Sequence, residues 1–181
     1  ANLQPLRSGP DGHPNGLVLG KGGSAKGTTL ASISAGAGRQ VILGAPAALP
    51  TPALDGTTAT YANITPGVDL VMDARRNGFE QHFVLSARPS GPVSWQLPLR
   101  TKGLTARLEP DNSVSFVDSK GAVVSSLPAA TAWDAAVDPR SGEHTSTSAV
   151  HLSVTQNSPG RASLTITPDA SWLADPARRY P

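Results

Sequence analysis

Two carboxylates in the middle of the sequence have a spacing that could support acid–base chemistry. Asp73 and Glu80 flank Asn77-Gly78, a dipeptide typical of tight hairpins with positive φ, so they can face each other across two paired strands. A glycosidase needs two such groups about 5 to 10 Å apart. Arg75 and Arg76 would equally balance the charge of a solvated strand face, and we favour that interpretation.

The four histidines show no local catalytic or chelating pattern. His13 and His144 lie in turn-rich segments, whereas His82 and His151 lie on the polar side of predicted strands. None has the His-Glu-x-x-His spacing of zinc proteases. Strand pairing could still bring His82 close to His151. The sequence therefore predicts no catalytic residue and no enzyme.

Acidic residues in predicted loops offer a second kind of chemistry, because calcium prefers oxygen ligands from such loops. The candidates are Asp111, Asp118, Asp134 and Asp138. None belongs to a D-x-[DN]-x-[DN]-G motif, and loop aspartates commonly accept hydrogen bonds within their own turns. We expect no metal and no other cofactor, and these four are the calcium candidates.

Tryptophans provide the candidate binding surface. Trp95 belongs to an apolar stripe and is expected in the core, whereas Trp133 and Trp172 lie at the ends of predicted elements. Exposed aromatic rings can stack on sugars. With His82 and His151, these two tryptophans are the predicted ligand-binding residues.

Alternating apolar residues predict the elements that position these side chains. Val68, Leu70 and Met72 form one such series, and Val93, Trp95, Leu97 and Leu99 form another. Period-2 alternation is typical of half-buried strands. We predict an all-β, antiparallel β-sandwich of about ten to thirteen strands, or two sub-sandwiches, with at most one or two short helices. One helix is expected at Asp169–Leu173.

The domain organisation follows from the turn-rich stretches. Residues 1–38 are predicted to form an irregular lead-in with the first strand, and residues 39–181 the β-sandwich module. A sub-boundary is expected near 89–92 or 129–138. The segment 175–181 is expected to lie along the sandwich near a sheet edge.

Composition restricts the partners. Fifteen basic and 13 acidic residues are scattered along the chain, and only 15% of residues are charged. A nucleic-acid binder is expected to carry a basic stripe, so we predict no nucleic-acid partner. No apolar run approaches the roughly 18 residues of a membrane span. The Ser/Thr/Gly-rich, charge-poor composition favours a secreted or cell-surface protein, and the absence of cysteine excludes disulfides.

An ordered set of segments carries a family resemblance across residues 40–181. The segments include Tyr61–Leu70 (YANITPGVDL), Gly78–Leu85 (GFEQHFVL), Thr131–Asp134 (TAWD) and Leu164–Asp169 (LTITPD). The set resembles the N-terminal β-rich module of actinobacterial exported RHS/YD-repeat, DNRLRE-domain or LamG-domain proteins.

The resemblance implies a module ahead of repeats, lectin-like domains or a toxin-bearing C-terminus, and it carries over no catalytic residue. We therefore expect a non-enzymatic structural or recognition module of a larger secreted bacterial surface protein. Its partners would be other modules of the same polypeptide and a cell-surface glycan or protein. The alternatives are a carbohydrate-binding module that uses the exposed tryptophans, and a hydrolase whose site is not recognisable.

Overall fold

The computed structural model describes residues 13–23 and 25–181. The first twelve residues of the predicted lead-in therefore lie outside the described residues. Strands make up 52% of the described residues and helix 3%, which confirms the all-β sandwich. The described residues form 14 strands, one more than the predicted range, because short runs in turn-rich stretches also pair.

The strands in chain order are β1 (Val18–Leu19), β2 (Thr29–Ser34), β3 (Gln40–Gly44), β4 (Ala53–Asp55), β5 (Thr58–Thr65), β6 (Val68–Arg75), β7 (Gly78–Leu85), β8 (Trp95–Lys102), β9 (Thr105–Leu108), β10 (Val114–Val117), β11 (Val123–Leu127), β12 (Ala130–Trp133), β13 (Thr147–Ser158) and β14 (Arg161–Pro168). The helix α1 is Ala170–Ala174.

The strands form three antiparallel sheets. A seven-stranded sheet has the order β1-β2-β3-β8-β14-β13-β12, a four-stranded sheet the order β4-β5-β6-β7, and a three-stranded sheet the order β11-β10-β9. All three sheets contribute to one hydrophobic core. Its largest fully buried side chains are Tyr61, Phe116, Leu17, Leu30, Leu70, Met72, Leu97, Leu99 and Val114.

Side-chain contacts join the smaller sheets to the large one. Phe83 of β7 stacks on Trp95 of β8, with ring centroids 4.0 Å apart and the ring planes nearly parallel. Asn112, in the turn between β9 and β10, donates to the carbonyl of Val150 and accepts from the amide of Leu152, both on β13. The three-stranded sheet is thus held to the seven-stranded sheet by polar as well as apolar contacts.

The buried hydroxyl of Tyr61 has a partner inside the core. It donates to the carbonyl oxygen of Gly20, in the segment between β1 and β2. Burial raises the pKa of Tyr61 to about 12, because the phenolate would lose its hydration. The hydrogen bond offsets the cost of burying the hydroxyl and connects β5 to the N-terminal strands.

Residues before and after position 39 pair directly. β2 pairs with β3, and Leu17, Leu19 and Leu30 lie in the same core as residues from the later strands. The domain boundaries drawn from the sequence stay predictions.

The helix α1 lies where the sequence predicts it. Asp169 is its N-cap, and its Oδ1 accepts from the amide of Trp172 at 2.8 Å and from the hydroxyl of Ser171 at 2.5 Å. Leu173 is buried. Within the part of the chain that the structure describes, no helix has the length and apolar character to cross a membrane.

The stacked position of Trp95 generates a stability prediction. Trp95→Ala would leave a cavity beside Phe83 and should cost about 3 to 5 kcal/mol of unfolding free energy in urea melts. Val123→Ala is the control, since that side chain is 57% exposed, and it should cost less than about 1 kcal/mol. A loss below about 1 kcal/mol for Trp95→Ala would show that Trp95 is not a core residue.

Candidate functional site

The hairpin of β6 and β7 sets the geometry of the candidate site. Arg75 pairs with Gly78, which places Asp73 opposite Glu80 and Val71 opposite His82. The two carboxylates face each other, a possibility that the sequence left open. The turn consists of residues 76–77, and Gly78 is already part of β7. Neither Asn77 nor Gly78 adopts the expected positive φ.

Asp73, Glu80 and His82 form what we call the Asp73 cluster, on the outer face of the four-stranded sheet. Leu70 and Met72 of β6 are buried, and alternation along the strand places Asp73 on the opposite face. Nε2 of His82 lies 3.3 Å from Oδ2 of Asp73 and 3.9 Å from Oε2 of Glu80. One potential ligand atom from each residue lies within 4.8 Å of the others.

Neighbouring side chains hold both carboxylates. The hydroxyl of Thr58, on β5, donates to Oδ1 of Asp73. Nη2 of Arg75 donates to Oε2 of Glu80 at 2.6 Å, and this hydrogen bond with the charge of Glu80 raises the pKa of Arg75. One carboxylate oxygen of Asp73 therefore accepts a hydrogen bond from Thr58, and the other faces His82.

His13 is a positioning residue that sequence reasoning misses. Its buried ring reaches the hairpin turn, where Nε2 lies 2.5 Å from the carbonyl of Arg75 and 3.2 Å from that of Gly78. Nδ1 accepts from the amide of Asn15, so the Nε2 atom carries the donated proton. His13 thereby anchors the turn that sets the spacing of the Asp73 cluster.

Trp133, at the end of β12, lies beside this cluster. Its ring is edge-on to His82 with centroids 5.5 Å apart, and the ring of His144 lies 5.4 Å away at a tilt of 32°. His144 Nδ1 donates to the carbonyl of Asp134 at 2.9 Å. Two predicted ligand-binding residues, His82 and Trp133, are thus brought together from strands of different sheets.

We call the continuous surface formed by Arg75, Glu80, His82, Trp133 and His144 the Trp133 surface. It combines an exposed indole, two imidazoles, a carboxylate and a guanidinium. These are groups that can stack on a planar ring, exchange protons or contact an anion.

Asp134 fastens the C-terminal segment beside Trp133. Its carboxylate accepts from the amide of Ala136 at 3.0 Å, and at 3.3 Å from both the guanidinium of Arg178 and the amide of Arg179. Burial by itself would raise the pKa of Asp134, but these hydrogen bonds and the charge of Arg178 outweigh it and hold the pKa below its ordinary value. The segment therefore lies beside the end of β12, an edge strand.

The other predicted ligand-binding residues lie elsewhere. Trp172 is half-buried, and the guanidinium of Arg178 covers its ring at 5.0 Å from the centroid. His151 is exposed on β13 and pairs with Thr167 of β14. His82 and His151 therefore lie on different sheets, because β7 pairs with β6 rather than with β13.

The calcium candidates do not converge. Oδ1 of Asp111, Asp118 and Asp138 each accepts from amides two to four residues further on, within its own turn. Asp134 is occupied by the C-terminal segment. Within residues 13–23 and 25–181, the group of three metal-ligating side chains is the Asp73 cluster, which contains none of the four.

A cavity of about 340 Å³ lies between the 89–92 loop and α1. Its walls are formed by Pro89, Ser90, Gly91, Pro92, Ala170, Ser171, Leu173 and Ala174. None of the described residues that line it is titratable, so these residues supply no acid or base for catalysis.

Comparison with known proteins gives three distant relatives. The chain is 32% identical over 127 residues to "tRNA nuclease WapA" of Bacillus subtilis (strain 168) and to "tRNA(Glu)-specific nuclease WapA" of Bacillus subtilis subsp. natto. It is 31% identical over 127 residues to "tRNA3(Ser)-specific nuclease WapA" of Bacillus spizizenii. Each match covers 70% of this chain but 5% of the relative. No family model and no solved structure matches.

These relatives correct three expectations drawn from the sequence. The chain was expected to be a non-enzymatic structural or recognition module without a nucleic-acid partner. The matched proteins are named as enzymes, and the substrate in their names is tRNA. The three expectations, of a non-enzymatic module, of no enzymatic activity and of no nucleic-acid partner, are therefore wrong. These expectations rested on the absence of catalytic sequence motifs and of runs of basic residues. Such linear patterns do not reveal surfaces assembled from distant strands.

Asp134 generates a prediction about acid stability. Because its folded pKa is lowered, its stabilisation is complete above the ordinary carboxyl pKa of about 3.9 and is lost as pH falls through the folded value. Asp134→Asn should cost about 1.5 to 3 kcal/mol near neutral pH.

The deficit should shrink in urea melts as the pH is lowered below about 3.9, because the carboxyl of the unfolded chain takes up its proton before the folded one does. Asp55→Asn, on the exposed strand β4, should show no such deficit at either pH. A deficit that is independent of pH would contradict the assigned role of the carboxylate charge.

Proposed function

We propose that this chain is a β-sandwich part of a larger exported protein that cleaves tRNA. The observation that carries the proposal is the 127-residue match to three proteins named as tRNA nucleases. Because the chain spans about 5% of their length, the nuclease activity is proposed for the whole protein. Export is proposed from the Ser/Thr/Gly-rich, cysteine-free composition, and the resemblance to RHS-type modules stays a prediction.

Within such a protein, we assign RNA contact to the Trp133 surface. Exposed aromatic rings bind single-stranded nucleotides by stacking, and guanidinium groups contact phosphates. Trp133 is 45% exposed and contacts the imidazoles of His82 and His144, so its position is fixed before a base arrives. Arg75, held by Glu80, supplies a permanent positive charge on the same surface.

The names of the relatives also bear on whether the Trp133 surface would distinguish one tRNA species from another. Two of them are named for different tRNAs, yet this chain matches both almost equally, at 32% and 31% identity. A shared segment is suited to features common to all tRNAs, such as phosphates and unpaired bases. We therefore expect the Trp133 surface to bind tRNA without preference for one species.

Binding of fluorescently labelled tRNA, followed by anisotropy, tests the role of Trp133. Stacking contributes about 1 to 3 kcal/mol per base, so Trp133→Ala should weaken binding about 5-fold or more. The matched control is Val123→Ala, an exposed residue of β11 in the three-stranded sheet, which should bind as wild type does. Affinity should also fall with added salt, because phosphate contacts release counterions.

Two outcomes contradict the proposal in different ways. If the parent protein does not cut tRNA, the proposed activity is wrong. If it cuts tRNA while the wild-type chain and Trp133→Ala bind tRNA equally or not at all, the Trp133 surface is not the RNA-binding face.

A further inference from the structure

We propose that the Asp73 cluster is a binding site for a zinc-like divalent metal ion, with Asp73, Glu80 and His82 as ligands. An imidazole and two carboxylates form a mixed nitrogen and oxygen donor set. Such a set suits zinc better than calcium or magnesium, which prefer oxygen ligands alone. The proposal does not depend on the nuclease function.

The distances agree with tetrahedral zinc coordination. Zinc bonds to imidazole nitrogen and carboxylate oxygen are about 2.0 to 2.2 Å long, so neighbouring ligand atoms lie about 3.3 to 3.6 Å apart. The His82 to Asp73 separation is 3.3 Å and the His82 to Glu80 separation is 3.9 Å. Only the more distant side chain, Glu80, has to move, and it is half exposed.

The surroundings orient the ligands before a metal arrives. Thr58 holds the oxygen of Asp73 that does not face His82, and Trp133 packs edge-on against the imidazole. Outer contacts of this kind fix ligand orientation in metal sites. The hairpin register adds rigidity, because Asp73 and Glu80 are direct cross-strand partners.

Arg75 is the group that competes with a cation here. It donates to Oε2 of Glu80, the same oxygen that lies nearest Nε2 of His82, so the metal takes either the second lone pair of that oxygen or Oε1 after rotation of the carboxylate. Three protein ligands leave one tetrahedral position for a water molecule, the arrangement of catalytic rather than structural zinc sites.

The same contacts could also form a purely structural ion pair, with protonated His82 between two carboxylates. Metal titration separates the two interpretations. Calorimetry with zinc chloride on the chelator-treated chain should give one saturable equivalent, and cobalt(II) should give the visible absorption bands of a four-coordinate ion. Both measurements are made without RNA, so their result is independent of the proposed nuclease.

Variants locate the site. His82→Gln and Asp73→Asn should weaken zinc binding more than about 100-fold, and Thr58→Val, which changes only an outer contact, about 10-fold. His151→Gln, on the exposed face of β13, is the matched control and should bind as wild type does. Circular dichroism and urea midpoints establish that each variant is folded. Should His82→Gln fail to fold, Glu80→Gln at the exposed ligand replaces it, with binding weakened at least 10-fold.

The zinc site is overturned if the wild-type chain shows no saturable binding. It is also overturned if binding survives unchanged in the folded variants of His82, Asp73 and Glu80. In both cases the cluster is the ion pair described above.

Discussion

The register of the β6–β7 hairpin is the constraint on which the core and the candidate site both depend. A two-residue turn pairs Arg75 with Gly78, and His13 holds the carbonyls of both residues. A slip by one residue would turn Leu70 and Met72 outward and bury Asp73, because alternate residues face opposite sides of a strand. One turn thus determines which face packs against the seven-stranded sheet and which face carries the Asp73 cluster.

A second constraint is the contact between the edge strands of two sheets. β7 ends the four-stranded sheet and β12 ends the seven-stranded sheet, and the contact of His82 with Trp133 joins them. An open edge strand exposes unpaired backbone groups. Here the C-terminal segment covers the end of β12, where the amide of Ala135 donates to the carbonyl of Arg179. The Asp134–Arg178 ion pair keeps that cover in place.

This arrangement explains why the proposed RNA-binding face is not apparent in the linear sequence. The charge count is close to balanced, and no segment carries a run of basic residues with aromatics. The proposed RNA-binding face instead takes Arg75 and His82 from one hairpin and Trp133 and His144 from a region much later in the chain. RNA binding is proposed for this face because the chain is similar to proteins named as tRNA nucleases. The zinc proposal rests on its geometry alone.

The sequence by itself determined the features that depend on neighbours along the chain. Period-2 alternation indicated the strands, Asp169 indicated the start of α1, and Asn77-Gly78 indicated a hairpin that brings Asp73 and Glu80 onto neighbouring strands. Tertiary structure alone decided the contacts between residues far apart in the chain. His13 reaches a carbonyl 62 residues away, and Trp133 meets His82 only because two different sheets end side by side. Periodicity and turn chemistry specify which face a residue occupies, but the packing of sheets around a common core determines what that face meets.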